Sequence, residues 1–151
     1  MDIQIITALL GSLGFSLLFG LRPRYLLLAS LGGGICWAFY QFCLQSGLSV
    51  FVTCFAASAF SAIYGEILAR IMKAPAPLFF IPTIIPLIPG SLLYYTMRCA
   101  VQGNLDAAAV HGIQTLQTAL AIAAGVSLVW SLFFMADRME AYLKKYDQRQ
   151  K

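Results

Sequence analysis

The stretch Pro82-Thr83-Ile84-Ile85-Pro86-Leu87-Ile88-Pro89-Gly90-Ser91 constrains the fold more than any other, because it sets three prolines and a glycine in a segment apolar enough to cross a membrane. Proline lacks an N–H and its ring clashes with the carbonyl four residues back, so Pro82, Pro86 and Pro89 do not fit one regular helix. The sequence predicts a helix that breaks near Pro89-Gly90. In hydrocarbon every backbone polar group needs a partner, and a broken helix persists only where neighbouring helices or a water-filled cavity satisfy the freed groups. Ser91 is expected to cap a new half-helix over 92–99. The N-terminal N–H groups of that half-helix, and the positive end of its dipole, would face the membrane midplane and attract an anion. The competing reading is a proline kink used only for packing.

Composition supports the membrane setting. The 151 residues are 60% hydrophobic and 11% charged, with a mean hydropathy of +0.81, which excludes a soluble domain and leaves an all-α polytopic membrane protein. Apolar runs of roughly the 20 residues a bilayer requires lie at 3–21, 25–44, 48–71, 77–99 and 107–134. Five transmembrane helices are therefore expected, the fourth broken at the Pro/Gly motif. The connectors around Pro23, Gly47, Pro75 and Gly103 are short and rich in turn formers, leaving no room for a second domain. The expected organisation is one five-span domain over 1–136 and a cytoplasmic tail over 137–151.

The net charge of +4 is spread in short runs between apolar stretches and is no nucleic-acid signal. It reports topology, because basic short loops stay cytoplasmic. With the N-terminus outside, five crossings put Arg22, Arg24, Arg70, Lys73, Arg138, Lys144, Lys145, Arg149 and Lys151 in the cytoplasm, and only Arg98 outside. The start of the chain has no basic n-region, so the first run reads as a retained span in a plasma (inner) membrane rather than a signal peptide.

Small residues mark expected packing seams: Gly11 and Gly14 in the first run, Gly32-Gly33-Gly34 in the second, and Ala56 to Ala62 in the third. Cys36, Cys43, Cys54 and Cys99 lack metal spacing and read as small buried packing residues. Glu66 within the third run reads either as a proton relay or as one half of a salt pair with Arg70, one turn on. Ser91, Tyr94, Tyr95 and Arg98 recur at helical spacing, a stripe of hydroxyls ending in a permanent cation along which a carboxylate could move. The alternative places Tyr94 and Tyr95 in the interfacial aromatic belt. Asn104 is the expected N-cap of the last helix, whose first half presents His111, Gln114, Thr115, Gln117 and Thr118. No nucleophile, base or metal cluster suggests an enzyme, and no cofactor is expected.

The run from Phe79 to Ser91, followed by Tyr94-Tyr95-Thr96-Met97, resembles the proline signature of the threonine/serine exporter family, and specifically its C-terminal module, which also occurs as a small separate subunit. Flanking similarity extends from Ile67-Leu68-Ala69-Arg70 to Gly112, Thr115 and the stretch 119–125; many members carry glycine where this chain has Thr83. The resemblance implies half of a ten-span inverted-repeat transporter, working with a larger family subunit or as a self-oligomer in the lipid bilayer. It further implies export of hydroxy amino acids or of a dicarboxylate such as succinate by a proton-coupled carrier. On that reading Pro86, Pro89, Gly90, Ser91, Tyr94, Tyr95 and Arg98 bind the substrate carboxylate and Glu66 relays protons. The alternative function is a non-transporting structural or assembly subunit.

Overall fold

A computed structural model describes residues 2–149, with side chains described for 3–139 and for Tyr142. Gln150, Lys151 and the side chains of Lys144, Lys145 and Arg149 lie outside the described residues, and with them the basic end of the expected tail. The helices are α1 (Asp2–Leu18), α2 (Pro23–Gln45), α3 (Val50–Met72), α4 (Pro77–Ile84), α5 (Gly90–Val101) and α6 (Leu105–Arg149), with a 3-10 turn at Ile85–Leu87.

Local chemistry sets these bounds. Pro23 and Pro77 open α2 and α4 at the first helical position, where a missing N–H removes no bond. The Ser49 hydroxyl accepts from the Val52 N–H at the start of α3, and the Asn104 side chain accepts from the Ala107 N–H at the start of α6, as the sequence predicts. Gly103 (φ 76) supplies the left-handed residue that turns α5 into α6. α6 continues without interruption past residue 136 to Arg149, so the predicted tail begins as an extension of the last helix.

α1, α2 and α3 pack in antiparallel order. Gln41 donates to Gln4 across α2 and α1, while the Tyr64 hydroxyl donates to the Leu28 carbonyl at 2.7 Å across α3 and α2. α6 instead runs parallel to α3: Gly125 lies against Ser58, and near the end of α3 Arg70 meets Asp137 at 2.8 Å. α4 lies against α2 and α3, with Phe79, Pro82 and Thr83 fully enclosed.

Glycines make that enclosure. A Cβ on Gly32 would collide with Thr83 and Tyr64, one on Gly33 with Ser12, and one on Gly65 would lie 2.8 Å from the Phe80 Cβ. In lipid, close approach of this kind replaces the hydrophobic drive that water provides elsewhere. The expected seam at Gly32 to Gly34 is therefore present, as is the one on α3, where Ala57, Ser58, Ser61 and Ala62 are buried. The expected seam at Gly11 and Gly14 is not: a Cβ at either meets nothing within 4 Å, and Ser12 and Ser16 are the buried small residues of α1.

Three helices are long and apolar enough to span a bilayer, or four if the bent pair counts as one. The protein is thus an all-α membrane protein with three to four candidate spans, where the sequence led us to expect five. The difference lies in α1. Its 17 residues reach ~26 Å at ~1.5 Å per residue, short of the ~30 Å hydrocarbon core.

The bundle has two distinct ends. Leu21, Ala69 and Phe79 form one cluster, which gathers the α1–α2 corner, the end of α3 and the start of α4. Arg22, Arg24, Arg70 and Lys73 therefore share an end, joined by α6 through Asp137, next to Arg138. Arg98, near the end of α5, belongs to the opposite end, where α5 packs against the start of α6.

The glycine contacts generate a test. Gly33→Val and Gly65→Val are expected to destabilise the bundle by about 1–3 kcal/mol through overpacking, while Gly14→Ala leaves it unchanged; thermal unfolding in detergent, followed by size-exclusion chromatography, reads the difference.

Candidate functional site

The break in the α4–α5 path is built from the prolines in order. Pro82 sits inside α4, and Thr83 bends back to donate its hydroxyl to the Phe79 carbonyl at 2.7 Å. Past Ile84 the chain tightens into the 3-10 turn containing Pro86, closed by the Ile88 N–H on the Ile85 carbonyl at 3.1 Å. Ile88 is extended (ψ 125), as a residue before proline prefers. Pro89 then takes the N-cap position of α5, and the two helical pieces meet at 51°.

This geometry corrects one expectation. Ser91 does not cap the half-helix. α5 begins at Gly90, Pro89 precedes it without any side-chain cap, and Ser91 is an exposed residue of its first turn. The Gly90 N–H bonds the Ile88 carbonyl at 2.7 Å and the Leu93 N–H bonds the Pro89 carbonyl at 3.1 Å. Among the described residues, the Ser91 and Leu92 N–H groups between them have no protein acceptor. These are the donors that a helix start leaves over.

Three adjoining cavities surround the break. One of about 270 Å³ is lined by Gln4, Thr7, Ala8, Trp37 and Pro86. A second, of about 170 Å³, lies among Trp37, Tyr40, Cys54, Pro89, Ser91 and Thr118. The third, of about 300 Å³, is lined by Val50, Phe51, Leu92, Gln114, Gln117 and Thr118. Trp37 and Pro86 are common to the first two, and Val50, Leu92 and Thr118 to the last two, so the three form one crevice.

The crevice is not at mid-height. Its middle cavity is level with Cys54, ~6 Å from the start of α3 and ~27 Å from its end at Met72, by the ~1.5 Å rise per residue. Along α3 the crevice therefore lies towards the end away from the basic residues. Because Thr118 is level with Phe51, the part of α6 before it extends ~20 Å beyond α3, and α5 packs back along that extension. The path enters α4 at the basic end and leaves α5 at the other, without doubling back.

The structure brings Pro86, Pro89 and Ser91 into the crevice wall, with Gly90 beside them. It does not bring in the outer stripe. Tyr94, Tyr95 and Arg98 are exposed on α5, a helix with no buried residue, and Arg98 is ~10 Å along it from Ser91. Tyr95 lies 5.8 Å from the His111 ring. The polar face expected on α6 is divided: Gln114, Gln117 and Thr118 reach the crevice, whereas the Thr115 hydroxyl donates to the His111 carbonyl at 2.8 Å.

Sequence reasoning missed Gln4, Thr7, Trp37 and Tyr40. Trp37 and Tyr40 share a face of α2 and their rings stack at 5.1 Å, a spacing that would have suggested one wall. Nothing in the first run separates Gln4 and Thr7 from an ordinary helix start.

Glu66 lies at the other end. Its carboxylate accepts from Arg70 at 3.2 Å, while Arg70 makes a bidentate pair with Asp137 at 2.8 and 2.9 Å and stands over the Phe133 ring. The salt-pair reading of Glu66 is therefore realised in the geometry. Cys36, Cys43 and Cys54 are buried and free, and Cys99 is partly buried.

Residues 4–132 match the family described as Threonine/Serine exporter, ThrE, which is most of the chain. The chain belongs to the threonine/serine exporter family. No curated protein and no solved structure matches it. The match includes the whole crevice, from Gln4 to Thr118, and ends in the apolar part of α6. As a member of this exporter family the chain falls among transporters rather than enzymes, and its apolar helices make it a multi-pass membrane protein.

Because Ser91 is not the cap of α5, Ser91→Ala is expected to shift the melting temperature by under ~1 °C, where losing a true N-cap would remove about 1 kcal/mol and lower it by several degrees. Thermal unfolding of the chain in lipid nanodiscs measures this.

Proposed function

We propose that the chain is a subunit of a secondary exporter for small carboxylate-bearing metabolites, with threonine, serine and dicarboxylates such as succinate as the substrate class. The observation that carries this reading is the uncapped start of α5 inside a polar crevice, in a chain of an exporter family. Unpaired N–H groups and the positive end of a helix favour a carboxylate, and among the described residues no charged side chain lines the crevice to compete for it.

In this reading Pro86, Pro89, Gly90 and Ser91 hold the carboxylate, and Tyr94, Tyr95 and Arg98 guide it along the exposed face of α5. Glu66 serves proton coupling from the opposite end, its carboxylate taking up a proton from water when the ion pair with Arg70 opens and returning it to water when the pair re-forms. The chain crosses the inner membrane five times with its N-terminus outside and its C-terminus in the cytoplasm. Support for that orientation is the gathering of Arg22, Arg24, Arg70, Lys73 and Arg138 at one end. α1 crosses as a short span by local thinning of the bilayer. A larger family subunit, or a second copy, covers the face of α5, which buries no residue within the chain.

Replacing Pro89-Gly90 by Ala-Ala lets the helix run on and withdraws its N-terminal donors; export of serine, threonine or succinate from cells should fall at least ~10-fold, the scale of one lost charge-assisted hydrogen bond. Unchanged export by a well-inserted double mutant would return the break to a packing kink. For topology, a cysteine introduced at Gln148 should resist a membrane-impermeant thiol reagent added to intact cells, and prompt labelling would reverse the orientation.

A further inference from the structure

Trp37 occupies a position that its neighbours on α2 do not. With Pro86 it stands in the walls of both the cavity beside Gln4 and Thr7 and the cavity beside Pro89 and Ser91. Its ring stacks on Tyr40 at an angle of 21°. Its Nε1 is buried and, among the described residues, has no hydrogen-bond acceptor.

An indole N–H is a donor only, so no reorientation of a neighbouring hydroxyl into a donor can satisfy it. A buried donor without a partner destabilises the state that contains it. That penalty is removed by an acceptor entering the crevice, and the start of α5 close by favours an acceptor with negative charge. Trp37 and Pro86 are the residues common to both linings, so a turn of the indole would reshape the wall between them.

We propose that Trp37 is both gate and hydrogen-bond donor of the crevice: when a small acid enters, the indole turns out of the partition and gives its N–H to a carboxylate oxygen. This assignment rests on the carboxylate-export reading above and adds to it a specificity-determining side chain on α2. Pairing of the donor and opening of the partition then occur together. Binding and gating are thereby one event.

The chain contains two tryptophans, so Trp130→Phe leaves Trp37 as the sole reporter in the full-length protein. In lipid nanodiscs, titration with L-serine, L-threonine or succinate should produce a saturable change in Trp37 emission. Trp37→Phe keeps a ring on Tyr40 and deletes the N–H. It should weaken binding measured by calorimetry about 10- to 100-fold, as expected for a hydrogen bond to a charged group, while the ligand-free melting temperature stays level or rises. A merely structural tryptophan would show the reverse: a lower melting temperature with affinity retained.

Emission that stays constant while calorimetry shows a probe bound would overturn the gate, and unchanged affinity in Trp37→Phe would overturn the donor. If the Pro89-Gly90 double mutant loses binding while Trp37→Phe keeps it, the carboxylate site stands without Trp37. If both variants bind as the unaltered chain does, or that chain binds none of the three probes, the carboxylate site falls and Trp37 with it.

Discussion

A broken helix in an apolar setting must be surrounded closely, and the seating of α4 against α2 and α3 meets that demand. Pro82 leaves the Leu78 carbonyl without its intrahelical donor, and Pro86 does the same to the Pro82 carbonyl. Exposure of such groups to lipid carries a penalty of several kcal/mol each. The backbone of α4 is turned away from lipid, with Phe79, Pro82 and Thr83 fully enclosed, and the Thr83 hydroxyl donates to the Phe79 carbonyl beside the break. Gly33 lets the α2 backbone approach the Pro82 carbonyl, and a Cβ there would lie 3.4 Å from that oxygen. Gly32 admits the Thr83 side chain in the same way, and Gly65 admits Phe80. Larger residues in this slot would push α4 outwards and expose the prolines.

Much of this was legible because proline and glycine carry their conformational rules with them. The break could be located from Pro86, Pro89 and Gly90 alone, and Asn104 and Gly103 acted in the turn where their chemistry predicts. The Ser91 cap failed for a physical reason: an N-cap needs an extended residue just before the helix, and Pro89 already occupies that place. Gly11 and Gly14 were misread because a glycine pair shows only that close approach is allowed. Which face of α1 meets α2 is decided elsewhere, by Ser12 and Ser16. The level of the crevice along the bundle was not readable either. It depends on the parallel register of α3 and α6, which no local pattern in either helix encodes.

That register also explains why the crevice lies near one end. α3 begins at Val50, whereas α6 continues past the level of Phe51 and carries α5 with it. α1 starts near the same level, since Gln4 pairs with Gln41 and lines the same crevice as Pro86. The starts of α1 and α5 and the 114–118 stretch of α6 thus gather where α4 loses its helix. Trp37, Tyr40 and Thr118 line the cavity beside that break. Helix break and polar crevice share one cause: the proline stretch ends α4 before the bundle ends.

Two contacts could set the register of α3 against α6, and their magnitudes separate them. The Arg70–Asp137 pair is bidentate, but its side chains are 46% and 53% exposed, and pairs so open to solvent contribute ~0–1 kcal/mol. At the other contact, a Cβ on Gly125 would collide with Ser58 and lie 2.5 Å from the Phe55 carbonyl. Overpacking of that kind costs about 1–3 kcal/mol. Sliding α6 by one residue would drive Val126 or Ala124 into that place, whereas the flexible Arg70 side chain could follow Asp137 over the same step. The glycine contact therefore sets the register and the ion pair follows it. The height of Thr118, and with it the shape of the crevice, is determined by a contact near the middle of the bundle.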